Sequence, residues 1–508
     1  MIAERKAIHK IGVIITLILF FIAAMCCFTV EKNTSMGIKI ISSEEYSGYT
    51  EELKSDLDVT LLFNDLPAAV DTGTKTVYIS QQIDEKTGLN NLKGSLKTDN
   101  PNFSVFLVND GRTESLAETT AAAKGYKLLV VAPDGVYDEY NLIFTDLPVF
   151  NMNGTETGFA ANGGKQYSGN IYFFDSNDEQ TKNYRSVNSS ALWHERGNAS
   201  RDGGKKPWKL SLKNDKGENA DLNFCGMGED DDWILNPMNL DDVKIREKAV
   251  MDLWNTNIAS DSTKMSQGKY VEVVFNGEYS GLYMIQRRID KKFLNLSEDN
   301  ILLKGASYYP TQLTADYYEI VYSPWDYIKT REYLENNFIY EYCKHMDIES
   351  WIDVTLFIQM GSLADNDGEK NIFMLMENVD EDYTVIPLLW DTDMSFGLFW
   401  TYKFTYSPEN TLYIQFVREE YSDLKLIYPK LDKMLAERWF ELRQSVFSEE
   451  NITETIGNNR ADITENGSLQ RDIEKWGLYC NGQDTMENLY LFIDMRLEYL
   501  DQYYARFL

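Results

Sequence analysis

Basic residues, histidine and cysteine are all scarce in this chain, and each shortage removes a class of chemistry. Its 508 residues carry 49 Lys and Arg against 80 Asp and Glu, a formal charge of −31. A nucleic-acid backbone is held by clustered Lys and Arg, so nucleic acid is not an expected partner. The same balance disfavours docking on anionic lipid. Only His9, His194 and His345 are present, which leaves little material for a histidine-bound zinc or a histidine-dependent triad. Outside one apolar segment the cysteines are Cys225, Cys343 and Cys480, too widely spaced for a zinc pattern and read as isolated thiols. A Walker-type glycine loop, the spaced-glycine motif of ordinary kinases and solenoid repeats are all missing from the sequence. What remains is carboxylate, Lys, Arg and metal chemistry.

What is present is an ordinary globular composition, 43% hydrophobic and 13% aromatic, in a chain too long for one compact domain. Residues 11–30 carry no charge and are long enough to span a bilayer as a helix. Arg5, Lys6 and Lys10 precede them, whereas Glu31 and Lys32 follow. The positive-inside rule then puts the amino terminus in the cytoplasm and the body outside. Residues 1–36 are therefore expected to be a cytoplasmic tail, membrane anchor or signal segment, and linker. A cleaved signal peptide competes, although Ala24-Met25-Cys26 is a poor cleavage site; cleavage would make the protein secreted.

Residues 37–146 contain short strand-like runs separated by turn residues: Val59–Phe63, Thr76–Ser80, Phe103–Val108, Lys127–Ala132 and Glu139–Phe144. They predict a small β-sandwich without a ligand cluster. A second unit opens at Leu147-Pro148-Val149-Phe150 and is expected to run to residue 407. It holds strands at Asn170–Phe174 and Trp208–Leu212, a helical period over Val243–Trp254, and a hairpin about Asn276-Gly277. After Trp325 the pattern turns helical, over Tyr327–Cys343 and Ile348–Ala364. Residues 408–508 read as a helical extension whose aromatic stripes are core. The fold class is α+β, with a cleft between a β-rich and a helical half.

Two acidic turns sit in that region. Asp365-Asn366-Asp367-Gly368-Glu369-Lys370-Asn371 is one; Trp390-Asp391-Thr392-Asp393-Met394-Ser395-Phe396-Gly397 is the other. The apolar run Val385–Leu389 predicts a buried strand that delivers Asp391 and Asp393 at its carboxyl end, where open α/β architectures commonly place ligand sites. Hard divalent cations take oxygen ligands, and Mg²⁺ is usually held by one or two carboxylates plus phosphate oxygens. The pair of turns has the composition such a site needs.

Six segments in order resemble the spore coat protein H (CotH) kinase family. They are His194–Arg201 with its Arg-Gly-Asn turn, Lys205–Leu210, Asp232–Leu235, Arg246, Asn276–Tyr283, and Asp367 with Asn371 ahead of Trp390–Gly397. The resemblance implies an atypical protein-kinase-like, two-lobed domain that binds ATP with Mg²⁺ or Mn²⁺ and phosphorylates Ser or Thr of a protein. By this similarity Asp367 is the catalytic base, while Asn371, Asp391 and Asp393 hold metal. Arg196, Lys206 and Lys209 are the candidates for the nucleotide phosphates, and Arg246 is read as structural. Two positions depart from the family pattern. Arg287 stands where an acid is common, with Glu272 and Glu278 as the available substitutes, and Asp365 stands where Asn is common before the catalytic Asp.

The leading expectation is a membrane-anchored, extracytoplasmic protein kinase acting on a protein substrate or cell-envelope protein. ATP is scarce outside a cell, so the alternative is a weakly active or inactive kinase-fold adhesin or envelope scaffold. A glycoside hydrolase using Asp367 and Asp391 is the third.

Overall fold

A computed structural model of the protein describes residues 34–50, 53–81, 89, 92–109, 125–178, 183–197, 201, 203–257, 263–305, 315–366, 370–399, 403–404, 415–480 and 482–508. The apolar segment 11–30 and Asp367 lie outside the described residues. Among those described, no helix is long and apolar enough to cross a membrane.

The amino-terminal part packs a three-stranded sheet on a seven-stranded one. Leu61, Phe63 and Leu96 of the small sheet share a core with Val77, Leu107, Leu128, Val130 and Leu142 of the large one. All five predicted strands are present, within a few residues at their ends. Two of the pairings are parallel, Lys39–Ser42 with Phe106–Asn109 and Asn141–Thr145 with Thr76–Ser80.

From Val149 the chain forms a closed seven-stranded barrel. It closes where Val149–Met152 runs parallel to Glu272–Phe275. Inside are Phe150, Trp193, Trp208, Leu210, Trp233, Tyr283 and Ile285. Strand alternation sends every second residue outward, so His194, Lys209, Ile234 and Gln286 line up across neighbouring strands on the outer face. The Arg185–Glu195 strand was not legible in the sequence, because Ser186, Asn188 and Ser190 on it are polar. The hairpin is as expected: Asn276 (φ 49°) and Gly277 (φ 74°) both adopt the left-handed conformation of a type I′ turn.

A second, antiparallel sheet has strands Tyr318–Tyr322, Ile301–Gly305, Ile372–Glu377 and Thr384–Leu389 in that order. It packs on the Ile348–Gly361 helix, which is mostly apolar and buried over Trp351–Gly361. A helix of that kind belongs inside a core rather than on a surface. Asp347 caps its start, accepting from Ser350 N at 2.7 Å, and Ser362 ends it at φ 52°. The carboxyl-terminal helices join the same continuous core, which extends from Leu147 to Tyr504. The class is α+β.

The Ser468–Trp476 helix returns to the barrel. Its Asp472 accepts from Lys205 Nζ (2.7 Å) and Leu282 N (3.0 Å), and its Arg471 pairs with Glu272 (2.9 Å). Gly281 makes this approach possible: its φ is +103°, and a Cβ there would lie 2.3 Å from Asp472 Oδ1. Gly281→Ala is expected to cost about 1–3 kcal/mol, read as a lower urea midpoint at unchanged slope.

Candidate active site

The Thr384–Leu389 strand is buried apart from its first residue and ends at the acidic turn the sequence pointed to. There Asp391 takes a left-handed φ of 58°, as do Asn371 (62°) and Phe396 (47°). Non-glycine residues rarely adopt this conformation, and its cost is met only where surrounding contacts fix it. Those contacts join the two acidic turns. Asn366 Nδ2 donates to the carbonyls of Asn371 (3.1 Å) and Trp390 (3.0 Å), and Trp390 N donates to Asn371 O at 3.0 Å. Asn371 Nδ2 donates to Asp365 Oδ2 at 2.8 Å. Phe396 N reaches Gly361 O at 2.6 Å and ties the turn to the core helix.

A further acid enters from the barrel side. Glu247 lies in the first turn of the Arg246–Asn257 helix and is buried, accepting from Asn236 Nδ2 (2.6 Å) and Gln286 Nε2 (2.8 Å). Burial, and next the charge of Asp391, push its carboxyl up to about 8. Asp393 is pushed well above the usual carboxylate range by burial, then by Asp391, Glu247, Asp365 and Asp241. Such crowding raises a pKa because like charges in low dielectric disfavour ionisation.

Asn366 Oδ1 and the hydroxyls of Thr392 and Ser395 are buried without a hydrogen-bond partner among the described residues. Carboxylates together with orphaned oxygens form a hard donor set, suited to Mg²⁺ or Mn²⁺. Asp242, Cys480 and Asp484 also cluster nearby, but their chemistry is already committed. Asp484 takes Arg246 through two contacts (2.9 and 2.6 Å), and Asp242 accepts from the backbone N of Tyr479 and Cys480. Burial pushes the Cys480 thiol up to about 12, which disfavours a thiolate.

The predicted cations divide. Lys206 Nζ donates to Arg201 O at 2.6 Å. Lys209 pairs with Asp232 at 2.8 Å, sharing that carboxylate with Arg288 at 2.7 Å. Arg196 instead lies over the Trp390 ring, 6.0 Å from its centroid, beside Asp391 and Glu247. Arg287, the departure from the family pattern, faces the barrel interior, where it pairs with Asp230 (2.8 Å) and donates to Met227 O (2.7 Å). Strand alternation gives the pocket-facing position to Gln286. Glu272 and Glu278 are not substitutes at the pocket, since they pair with Arg471 and Lys475 of the carboxyl-terminal helix. Arg246 is structural, as expected.

Sequence reasoning missed Glu247, Gln286 and Lys304. Glu247 follows Arg246 in a run that matched as a helix, and its position in the helix's first turn was the available signal.

A sequence model of one protein family, described as CotH kinase protein, matches residues 194–500, more than half of the chain. The chain belongs to that family. No curated protein matches it.

Proposed function

We propose that the protein is a metal-dependent protein kinase, transferring the ATP γ-phosphoryl group to Ser or Thr of a protein, with the barrel and the helical part as its two lobes. The observation that carries this is the group of four acids, Glu247, Asp365, Asp391 and Asp393: burial first, and then the charge of their neighbours, raises the carboxyls of Glu247 and Asp393. Phosphoryl transfer is mostly positioning and charge neutralisation, so it needs carboxylates for metal and cations for phosphate. A bound Mg²⁺ or Mn²⁺ would supply neutralisation of the phosphate charge. Asp391 and Asp393 would hold it, with Asn371 and Glu247 beside them. Asp367, between Asn366 and Asn371 in the sequence, would accept the proton of the attacking hydroxyl. Arg196, over Trp390 and beside Asp391, would meet the phosphates, whereas Lys206 and Lys209 are committed to Arg201 O and Asp232. The membrane-anchored, extracytoplasmic setting belongs to the same proposal.

Incubation with γ-labelled ATP, Mn²⁺ and an envelope protein extract tests it. Label appears on Ser or Thr for a kinase. Failure of both labelling and nucleotide binding returns the chain to the scaffold reading.

The pocket also links stability to pH. Glu247 has a folded pKa of about 8 against an ordinary 4.5, so folding favours its protonated form. That contribution is complete below about pH 4.5 and is lost as pH rises through about 8, an effect on the order of 5 kcal/mol. Metal binding requires the ionised acids and relieves their repulsion. The rise in melting temperature with saturating MnCl₂ is therefore expected to be larger near pH 9 than near pH 6, as differential scanning fluorimetry would report.

A further inference from the structure

In a chain with 80 acids and 49 bases, a cation in the interior has carboxylates in abundance. Most take one or settle on a carbonyl: Lys205, Lys206, Lys209, Lys244, Arg246, Arg287 and Arg288 all do. Arg196 and Lys304 are different. Both are half-buried, and neither side chain has a hydrogen bond or ion pair among the described residues. They flank the same indole. Arg196 Cζ is 6.0 Å from the Trp390 ring centroid and Lys304 Nζ is 5.8 Å from it, with Lys304 also 5.5 Å from the Phe373 ring.

Their placement is set by two separate elements. Arg196 follows the last barrel position of the Arg185–Glu195 strand, with its backbone N on Pro207 O at 3.0 Å. Lys304 is on the Ile301–Gly305 strand of the second sheet, in register with Phe373. The two cations thus approach Trp390 from opposite halves of the molecule, and Asp391 follows Trp390 in the chain.

Burial holds both groups below their ordinary pKa; Asp391 is the leading opposing influence at each, Arg288 adds repulsion at both, and Arg196 adds more at Lys304. An unpaired cation in a partly dry site is costly. A multivalent anion would relieve that cost for both at once, through charge-assisted hydrogen bonds. The rings supply part of the charge stabilisation in its absence.

We propose that Arg196 and Lys304, held about Trp390, form a polyphosphate clamp that grips the phosphates of the nucleotide, and that Lys304 rather than Lys206 is the lysine that does so. This rests on the kinase reading for the identity of the ligand, while the clamp itself requires only a polyphosphate. Lys206 serves its own loop, through Arg201 O.

Calorimetric titration of the full chain with tripolyphosphate, ATP and adenosine, and separately with MnCl₂ alone, tests it. Lys304→Met and Arg196→Met are each expected to weaken tripolyphosphate and ATP binding by about tenfold to a hundredfold. Lys304→Arg restores most of the affinity, and Lys206→Met leaves it unchanged. Adenosine binding and Mn²⁺ binding do not depend on Lys304. Melting curves of the Met variants should match or exceed the parent, because a half-buried charge with no partner among the described residues is removed, so lost affinity is not lost fold. The proposal is overturned if wild type binds no tripolyphosphate, or if both Met variants bind it as wild type does. A wild type that binds tripolyphosphate through Lys304 but never transfers label from ATP keeps the clamp and sinks the kinase reading.

Discussion

Asp391→Asn is expected to reduce ATP-dependent labelling by about 10³-fold or more, while the metal-free protein becomes more stable. The two effects have one cause. Asp391 is the leading charged neighbour that raises the carboxyl of Glu247, and it heads the charged causes at Asp393 as well. Neutralising it removes that repulsion, so the remaining acids ionise more easily. The gain in metal-free stability near pH 8 is expected to be about 1–2 kcal/mol. Sites that hold charge against its own repulsion trade stability for function in this way. Chemical denaturation at pH 8 and label transfer, measured on the same preparation, check both halves. A variant that loses labelling and also loses stability would place Asp391 in the framework of the fold instead. Asp393→Asn in parallel, with Mn²⁺ binding followed by electron paramagnetic resonance, separates the direct ligand from its neighbour: the direct ligand's variant loses more Mn²⁺ affinity.

Arg246→Met is expected to be the most destabilising single change, at about 3–5 kcal/mol. Arg246 is fully buried; it holds Asp241 at 2.5 Å and Asp484 at 2.6 Å, and its Nε donates to Ser395 O at 2.9 Å. Methionine fills similar space but leaves two carboxylates without their counter-charge in a dry site. The Ser395 contact also links this knot to the acidic turn, two residues beyond Asp393. Pairing Arg246→Met with Asp484→Asn should recover part of the loss, because the second change removes one of the orphaned charges. A urea titration of the single and double variants measures the coupling. Additive losses would show that the pair contributes nothing beyond its parts.

Much of the fold was legible because the relevant signals are local. The Thr76–Ser80 strand was found at its true bounds, and Asn276-Gly277 specified its turn by backbone chemistry alone. The buried run ahead of Trp390 placed Asp391 and Asp393 at a strand end, as it was expected to. The barrel was not legible, because closure depends on Val149–Met152 meeting Glu272–Phe275, more than a hundred residues away. Nor was the Arg185–Glu195 strand, whose polar residues hide an eleven-residue ladder.

The sequence by itself determined the chemical repertoire: oxygen ligands in abundance, few histidines, no thiolate cluster, and two acidic turns in order. Those are properties of composition and spacing, which need no neighbours. Tertiary structure decided which charges act together. Alternation along the Glu278–Arg287 strand turned Gln286 to Glu247 and Arg287 into the barrel, so a departure that looked damaging falls on the other face. It also brought Arg196 and Lys304, from different sheets, to one tryptophan, with no hydrogen bond or ion pair to either side chain among the described residues. Whether a charge is paired depends on what folding places within a few ångströms of it, and the order of residues alone does not carry that information.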